Sequence, residues 1–304
     1  MRLAACALTD EAGYLALLTA SDREREALIE RIVVSETWFF RDDQPFRVVR
    51  QYVLEEWLPR RPSAPLRVMS IPCATGEEPY SLAMTLFDCG LHPAQWRIDA
   101  FDVSKVALSR ARQAVYGKNS FRGRELSFRD RYFHSTPEGY VLDEAVRRAV
   151  AFAPGNVLDP DFAQTREPYD LIFFRNLLIY LSREHQERAL AVMDRLLAPT
   201  GLLLIGHAEP GPLLERWFVS ARYPLAFAYR KRSDERRQIP GSAVPVSGER
   251  RSPRLPQPPP ATRTTPADPG ITVHSPRPLA GEGLGVRAVD STTDPLTLTL
   301  SPLA

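Results

Sequence analysis

The sequence predicts an α/β protein with a doubly wound, mostly parallel sheet. Apolar runs typical of buried strands recur between residues 66 and 229, and segments with helical spacing separate them. Polar residues directly follow several of these runs, as in open α/β sheets that bind ligands at their strand ends. A small antiparallel insert over residues 117–153 and a short helical unit over residues 1–34 are expected to accompany the sheet.

Composition narrows the class of protein. The 304 residues have a formal net charge of +2, which is too small to indicate nucleic-acid binding by itself. Three cysteines without a CxxC spacing lead us to expect a reducing, cytoplasmic environment. No segment is apolar over the length needed to cross a membrane, and the five scattered histidines predict no metal site.

The first elements are helical and aromatic. Residues 11–34 have helical spacing, with a helix cap expected at Ser21. Three consecutive aromatic residues follow, of which we expect Trp38 and Phe39 to fill part of the core. Arg41 comes directly after them, and an arginine beside buried aromatics is expected to reach a carboxylate or a ligand.

The segment around Gly76 is the clearest ligand-binding element. Residues 66–69 predict a strand and residues 80–87 a helix, with a polar turn between them. The turn has neither the Walker pattern nor the glycine pattern of a dinucleotide site. Glu77 and Glu78 begin the helix, where they would repel a pyrophosphate by about 1–4 kcal/mol for each pair of charges. The turn therefore favours a ligand that is cationic at this point.

Asp102 ends the next predicted strand and suits the hydroxyls of a ribose, although an aspartate here could instead cap the following helix. S-adenosylmethionine has a cationic end and a ribose, so it fits the acids at these two strand ends. Glu78 also has a simpler interpretation, as a complement to the helix dipole.

The remaining strands continue the pattern. Residues 169–174 predict a central strand that ends in Arg175 and Asn176. A helix over residues 182–197 and strands over residues 201–206 and 225–229 follow. The insert is rich in arginine, which usually indicates a solvated face but could contact an acidic partner. From about residue 231 to residue 304 the proline-rich composition predicts a disordered tail.

Seven ordered motifs across residues 11–230 carry a family resemblance: ETWFFRD, ATGEEPYSLAM, FDVS, YGKNSFRG, GNVLD, FFRNLLIYL and GLLLIGHAE. In these motifs the chain resembles the CheR family of chemoreceptor glutamate methyltransferases. The residues within the motifs are most similar to those of the Wsp-type surface-sensing branch. The resemblance implies a Rossmann-like methyltransferase domain over residues 35–230. It also implies S-adenosylmethionine as cofactor, S-adenosylhomocysteine as product, and no metal.

The resemblance also implies roles for individual residues. Arg41 and Tyr180 would position the acceptor, although Tyr180 could instead be a packed aromatic. Glu77 would hold the methionine ammonium. The full set of implied cofactor contacts is Ser35, Thr37, Arg41, Glu77, Asp102, Asn156, Val157, Arg175 and Asn176. Ser35 stands where the family usually has asparagine, so its contact is the least supported.

The resemblance implies chemoreceptor methylation helices as partner. It also implies that the insert corresponds to a subdomain that, in some members of the family, grips the receptor's C-terminal peptide. The acceptor glutamate is ionised near pH 7, so no general base is required. Two features depart from the family: residues 1–34 match only the last part of its N-terminal helical domain, and no tetratricopeptide repeat is visible. A non-catalytic cofactor- or receptor-binding module and a methyltransferase for another acceptor remain alternatives. A nicotinamide dehydrogenase is disfavoured by Glu77 and the missing glycines.

Overall fold

A seven-stranded sheet forms the centre of the protein in a computed structural model, which describes residues 2–60, 63–123, 125–209 and 211–232. Its strands, and those of a smaller sheet, are β1 (Leu66–Ser70), β2 (Trp96–Asp102), β3 (Val115–Tyr116), β4 (Phe133–Thr136), β5 (Gly139–Leu142), β6 (Val150–Pro154), β7 (Tyr169–Phe173), β8 (Leu197–Leu204), β9 (Phe218–Ser220) and β10 (Ala228–Lys231).

The strand order of the large sheet is β6-β2-β1-β7-β8-β10-β9. Strands β6, β2, β1, β7 and β8 are parallel, whereas β10 runs antiparallel to both of its neighbours. Val68 of β1 pairs with Ile98 of β2 on one side and with Leu171 of β7 on the other. The order therefore reverses at β1, and in such sheets ligands bind outside the carboxyl ends of the strands that flank the reversal.

Helices cover both faces of the sheet: α1 (Arg2–Ala5), α2 (Glu11–Ala20), α3 (Asp22–Ile32), α4 (Gln44–Tyr52), α5 (Glu77–Asp88), α6 (Lys105–Gln113), α7 (Ser127–Tyr132), α8 (Glu144–Arg148), α9 (Arg183–Leu196) and α10 (Gly211–Leu214). Alternate residues of a strand enter different cores, because side chains point to opposite faces. Val68 belongs to one buried cluster, whereas its neighbour Met69 packs with Met193 of α9 in the other. The predicted doubly wound, mostly parallel fold is confirmed.

The small sheet has the antiparallel order β3-β5-β4. It adjoins an aromatic cluster around Phe39, whose ring centroid lies 4.8 Å from Tyr116, 5.2 Å from Phe121 and 5.0 Å from Phe133. Phe39 is buried as expected, whereas Trp38 is only half-buried.

Several boundaries differ from the sequence-based prediction, among them the start of β8, which lies at Leu197 rather than at residue 201. The sequence predicts that the insert ends at residue 153, but residues 150–153 belong to β6, which pairs in parallel with β2 at the edge of the large sheet. The last strand begins at Ala228 rather than at Leu225, whose backbone has a left-handed φ of 59°. A short apolar segment in a sequence indicates that its residues are buried, but it does not indicate which strand the segment pairs with.

In the N-terminal unit, α3 follows α2 after a single residue, Ser21, and forms hydrogen bonds with the start of α6. Ser21 caps α3, its Oγ accepting a hydrogen bond from the amide of Glu24 at 3.2 Å. Farther along α3, the Glu30 carboxylate accepts from the Ser104 hydroxyl at 2.7 Å and from the Val106 amide at 3.2 Å. Glu26 also forms an ion pair with Lys105. Helix α3 thus adds acceptors at the start of α6, where free amides need partners.

Within the described ranges, no helix has the length and apolar character needed to cross a bilayer. The predicted disordered tail lies outside the described residues except for Lys231, which ends β10, and Arg232.

Candidate functional site

A cleft opens at the carboxyl ends of β1 and β7, where the strand order reverses. The segment before α4, the turn after β1 and the loop after β7 supply its walls: Val34, Glu36, Thr37, Arg41, Pro72, Ala74, Glu78, Arg175, Asn176, Ile179 and Tyr180. Five residues predicted for the site therefore meet here: Thr37, Arg41, Arg175, Asn176 and Tyr180. Ser35, also predicted, is exposed and does not line the cleft.

The turn after β1 depends on Gly76. Its φ of 96° lies in the left-handed region, and a Cβ at this position would stand 2.9 Å from the Cβ of Ala111 on α6. Both the backbone conformation and the close approach of α6 require glycine here. The helix α5 can therefore begin directly at Glu77.

Glu77 is buried next to the cleft and held by two hydroxyl groups. Thr75 Oγ1 donates to its Oε2 at 2.6 Å, and Ser120 Oγ donates to its Oε1 at 2.8 Å. Burial raises the pKa of the Glu77 carboxyl, and these two hydrogen bonds oppose the rise. The side chain is thus fixed in one place and is costly to ionise without a nearby cation.

Glu78 has a different role from the helix-dipole complement suggested by the sequence. It lines the cleft, where its carboxylate accepts from Ser70 Oγ at 2.9 Å and from Arg175 Nη1 at 3.1 Å. Arg175 is only 3% exposed and also donates from Nη2 to Asp42 Oδ2 at 2.6 Å. Burial raises the pKa of Glu78, and the Arg175 charge counteracts this.

Arg41 is held by its own segment of chain. Its Nη1 donates to the carbonyl oxygen of Glu36 at 2.8 Å, and its guanidinium carbon lies 4.5 Å from the centre of the Trp38 ring. The Nε atoms of both Arg41 and Arg175 are buried and have no hydrogen-bond partner among the described residues. A buried donor without a partner costs roughly 1–3 kcal/mol, so each of these groups favours a ligand acceptor in the cleft.

Asp102 links the ends of β1 and β2. Its Oδ2 accepts from the amide of Ala74 at 2.8 Å and its Oδ1 from the amide of Ser104 at 2.9 Å. The cap of α6 is Ser104, whose Oγ accepts from the Ala107 amide, so the alternative of Asp102 as helix cap is wrong. Each carboxylate oxygen has a second lone pair available to a hydroxyl donor. Burial raises the pKa of Asp102.

Asn156 and Val157 lie beside Asp102 in a loop whose Gly155 amide donates to the Asp102 carbonyl at 3.0 Å. Asn156 lines a second cavity of about 510 Å³, and its side chain bonds to Asp159 and to the Leu158 amide. Val157 is buried in the core. The structure therefore brings these two residues next to Asp102 but not into the cleft with Arg41.

Glu209 is the last residue of the GLLLIGHAE motif and is not among the site residues predicted from the sequence. Its Oε1 accepts from the amides of Leu177 and Leu178, both at 2.9 Å, and its Oε2 accepts from the amide of Gly206. This buried carboxylate fixes the loop after β7, which carries Asn176 and Tyr180 into the cleft. Tyr180 itself is 65% exposed and stands at the rim. The available signal was an acid shortly after the predicted strand over residues 201–206.

The family model described as CheR methyltransferase, SAM binding domain, matches residues 35–225, more than half of the chain. The chain belongs to the CheR family. A probable biofilm formation methyltransferase, WspC, from Pseudomonas aeruginosa is 44% identical over 268 residues, covering 86% of this chain and 64% of the relative. The Pseudomonas putida WspC is 41% identical, covering 83% and 59%. The chain therefore spans about three-fifths of the length of these two relatives.

The chemotaxis protein methyltransferase of Escherichia coli is 35% identical over 224 residues, and the alignment covers 71% of this chain and 76% of that protein. Among solved structures, the superposition on the DszA carbon methyltransferase covers 54% of this chain and 35% of that protein, with 16% sequence identity. Its TM-score of 0.36 is too low for the similarity to carry an argument. Among the residues that the structure describes, no group of three or more histidine, cysteine, aspartate or glutamate side chains could hold a metal ion.

Proposed function

We propose that this chain transfers a methyl group from S-adenosylmethionine to the side-chain carboxylate of glutamate residues in a chemoreceptor-type protein. The products would be a glutamate methyl ester and S-adenosylhomocysteine. The observation that carries the proposal is the cleft at the sheet's reversal point, where Arg41 and Arg175 each have a buried Nε without a hydrogen-bond partner among the described residues. The enzyme would be residues 35–230, with the insert as a subdomain, acting in the cytoplasm.

The residues around the cleft fit this cofactor. The unpaired Nε atoms of Arg41 and Arg175 suit the cofactor's carboxylate, since an arginine donates strongly to an anionic oxygen. The free lone pairs of Asp102 suit the two ribose hydroxyls. Glu77, whose burial disfavours ionisation, would gain most from a neighbouring ammonium.

Four further residues complete the proposed cofactor site. Asn156 and the backbone of Val157 would contact the adenine, because their loop adjoins Asp102. Thr37 and Asn176 line the cleft and offer polar side chains to the methionine portion. Ser35 is exposed and does not line the cleft, so we assign it no contact.

The bound cofactor would supply an electrophilic methyl group, and the chain's residues would position the acceptor. A glutamate carboxylate is ionised near pH 7, so the site needs no general base. Arg41 lines the cleft and would hold one acceptor oxygen while the other is free to attack. Tyr180, exposed at the rim, would orient the incoming side chain. The contribution of these residues is alignment of the two reactants.

The proposed partner is the cytoplasmic helical region of a chemoreceptor, with the insert available to a receptor's C-terminal peptide. Support comes from the names of the relatives, which are chemotaxis and biofilm formation methyltransferases. The alternatives are a non-catalytic cofactor- or receptor-binding module and a methyltransferase for another acceptor, because the names of the relatives state no acceptor residue.

The decisive experiment incubates the purified chain with tritiated S-adenosylmethionine and receptor cytoplasmic fragments. We expect label on the fragment that mild base releases as methanol. Arg41→Ala should abolish labelling with an unchanged circular dichroism spectrum, whereas Arg216→Ala, at an exposed position between α10 and β9, should label normally. Cofactor binding without labelling would favour the binding module, and base-stable label would indicate another acceptor.

A further inference from the structure

The first segment of the insert, residues 117–123, contacts residues of the proposed site at several points. The Ser120 hydroxyl donates to Glu77, and the Ser120 carbonyl accepts from the Phe39 amide at 2.9 Å. Two residues farther on, Arg122 forms an ion pair with Glu36, with Nη1 and Oε1 3.1 Å apart. No described residue of the insert lines the cleft, so its influence on the site must pass through such contacts.

Trp38 connects Arg122 with Arg41. The guanidinium carbon of Arg122 lies 4.6 Å from the centre of the Trp38 ring, and that of Arg41 lies 4.5 Å from the same centre. At these distances a guanidinium group is attracted to the face of an indole ring. One half-buried ring therefore holds two arginines, only one of which lines the cleft.

Arg122 is itself anchored, so it can act as a support. Its Nε donates to the carbonyl oxygen of Asn119 at 2.9 Å, while its Nη1 bonds to Glu36. Arg41 in turn donates to the carbonyl oxygen of Glu36. Removing Arg122 would free the Glu36 side chain and one contact of the Trp38 ring at once. Arg41 rests against the same ring and against the main-chain carbonyl of Glu36, so the loss of Arg122 acts on both residues that hold it.

We propose that Arg122 is a positioning residue for Arg41, acting through Trp38 and Glu36. The role in catalysis rests on the proposed function, since Arg41 is there assigned to the acceptor. The placement of Arg41 by Arg122 is a property of the folded chain and can be measured whether or not methyl transfer occurs.

The kinetic test compares Arg122→Ala, Trp38→Leu and the double variant. We expect each single variant to lower kcat about tenfold while the dissociation constant for S-adenosylhomocysteine changes less than twofold. Residues that act through one another are not additive, so the double variant should also lose about tenfold rather than a hundredfold. Arg122→Lys, which retains the charge beside Glu36, should recover part of the activity. The exposed Arg216→Ala, which lies outside the insert and the cleft, should match the wild type.

A second measurement is independent of activity. In nitrogen-15 NMR spectra, the Arg41 Nε–H signal should be shifted upfield by the Trp38 ring current, with its assignment taken from Arg41→Lys. Arg122→Ala should move this signal toward the value of an unstructured arginine at an unchanged melting temperature. An unmoved signal, or additive losses of kcat, would overturn the proposal. A moved signal in a chain that methylates nothing would retain the positioning and reject only the proposed function.

Discussion

Arg175 and Glu78 form an ion pair across the reversal point of the sheet, with Nη1 and Oε2 3.1 Å apart although the residues are 97 positions apart in sequence. Asp42 approaches the same guanidinium from the segment before α4. The pair therefore ties the start of α5 to the end of β7 beneath the cleft.

Replacing Arg175 with methionine should destabilise the protein by about 3 kcal/mol, because a buried carboxylate would lose its charged partner. Combining Arg175→Met with Glu78→Gln should restore part of the loss, since the buried charge of Glu78 is then removed and Asp42, which is 37% exposed, is solvated by water. Urea unfolding would measure both effects. Equal stability of the single variant and the wild type would show that the pair contributes nothing.

Asp102→Asn should weaken S-adenosylhomocysteine binding by about tenfold or more, because one of the two oxygens that accept from Ala74 and Ser104 becomes a donor. Calorimetry would measure the affinity. Asp130→Asn, at an exposed position, is the matched control and should bind as the wild type does. Unchanged affinity in Asp102→Asn would remove this residue from the cofactor site.

Glu77→Gln should raise the melting temperature at pH 8 by about 2–4 °C, because it removes the cost of ionising a buried carboxyl. The sign follows from the raised pKa in the folded state. The wild type carries the full cost above that pKa and loses it as the pH falls toward the ordinary value of 4.5. The difference in melting temperature should therefore shrink between pH 8 and pH 4, and cofactor affinity should fall in the variant. A constant difference across this range would contradict the assignment.

Glu209→Gln should lower the free energy of unfolding by about 2 kcal/mol. The new side-chain NH₂ group would face a backbone N–H of Leu177, Leu178 or Gly206, which would then lose its acceptor. Urea unfolding with an unchanged m-value would measure it. The exposed Glu138→Gln should stay within about 0.5 kcal/mol of the wild type. If both variants were equally stable, the carboxylate would not be what holds the loop.

The sequence predicted the sheet and the position of the site because both depend on local signals. The run before Gly76 and the apolar stretch before Arg175 each indicate a buried strand that ends in polar residues. The pairing of Glu78 with Arg175, and of Arg175 with Asp42, joins distant parts of the chain. Neither periodicity nor spacing contains a signal for such contacts, so Glu78 was interpreted from its own helix alone.

The contact between α3 and α6 limits how this protein can be recombined with its relatives. The Glu30 carboxylate accepts hydrogen bonds from the Ser104 hydroxyl and the Val106 amide. Both donors lie within four residues after Asp102, the proposed ribose-binding residue. A chimera that receives a foreign helical segment in place of residues 11–34 would keep this edge intact only if the graft carried a carboxylate at the same place. The helices before residue 35 therefore cannot be replaced independently of the domain, because a carboxylate of α3 supplies hydrogen-bond acceptors to the start of α6.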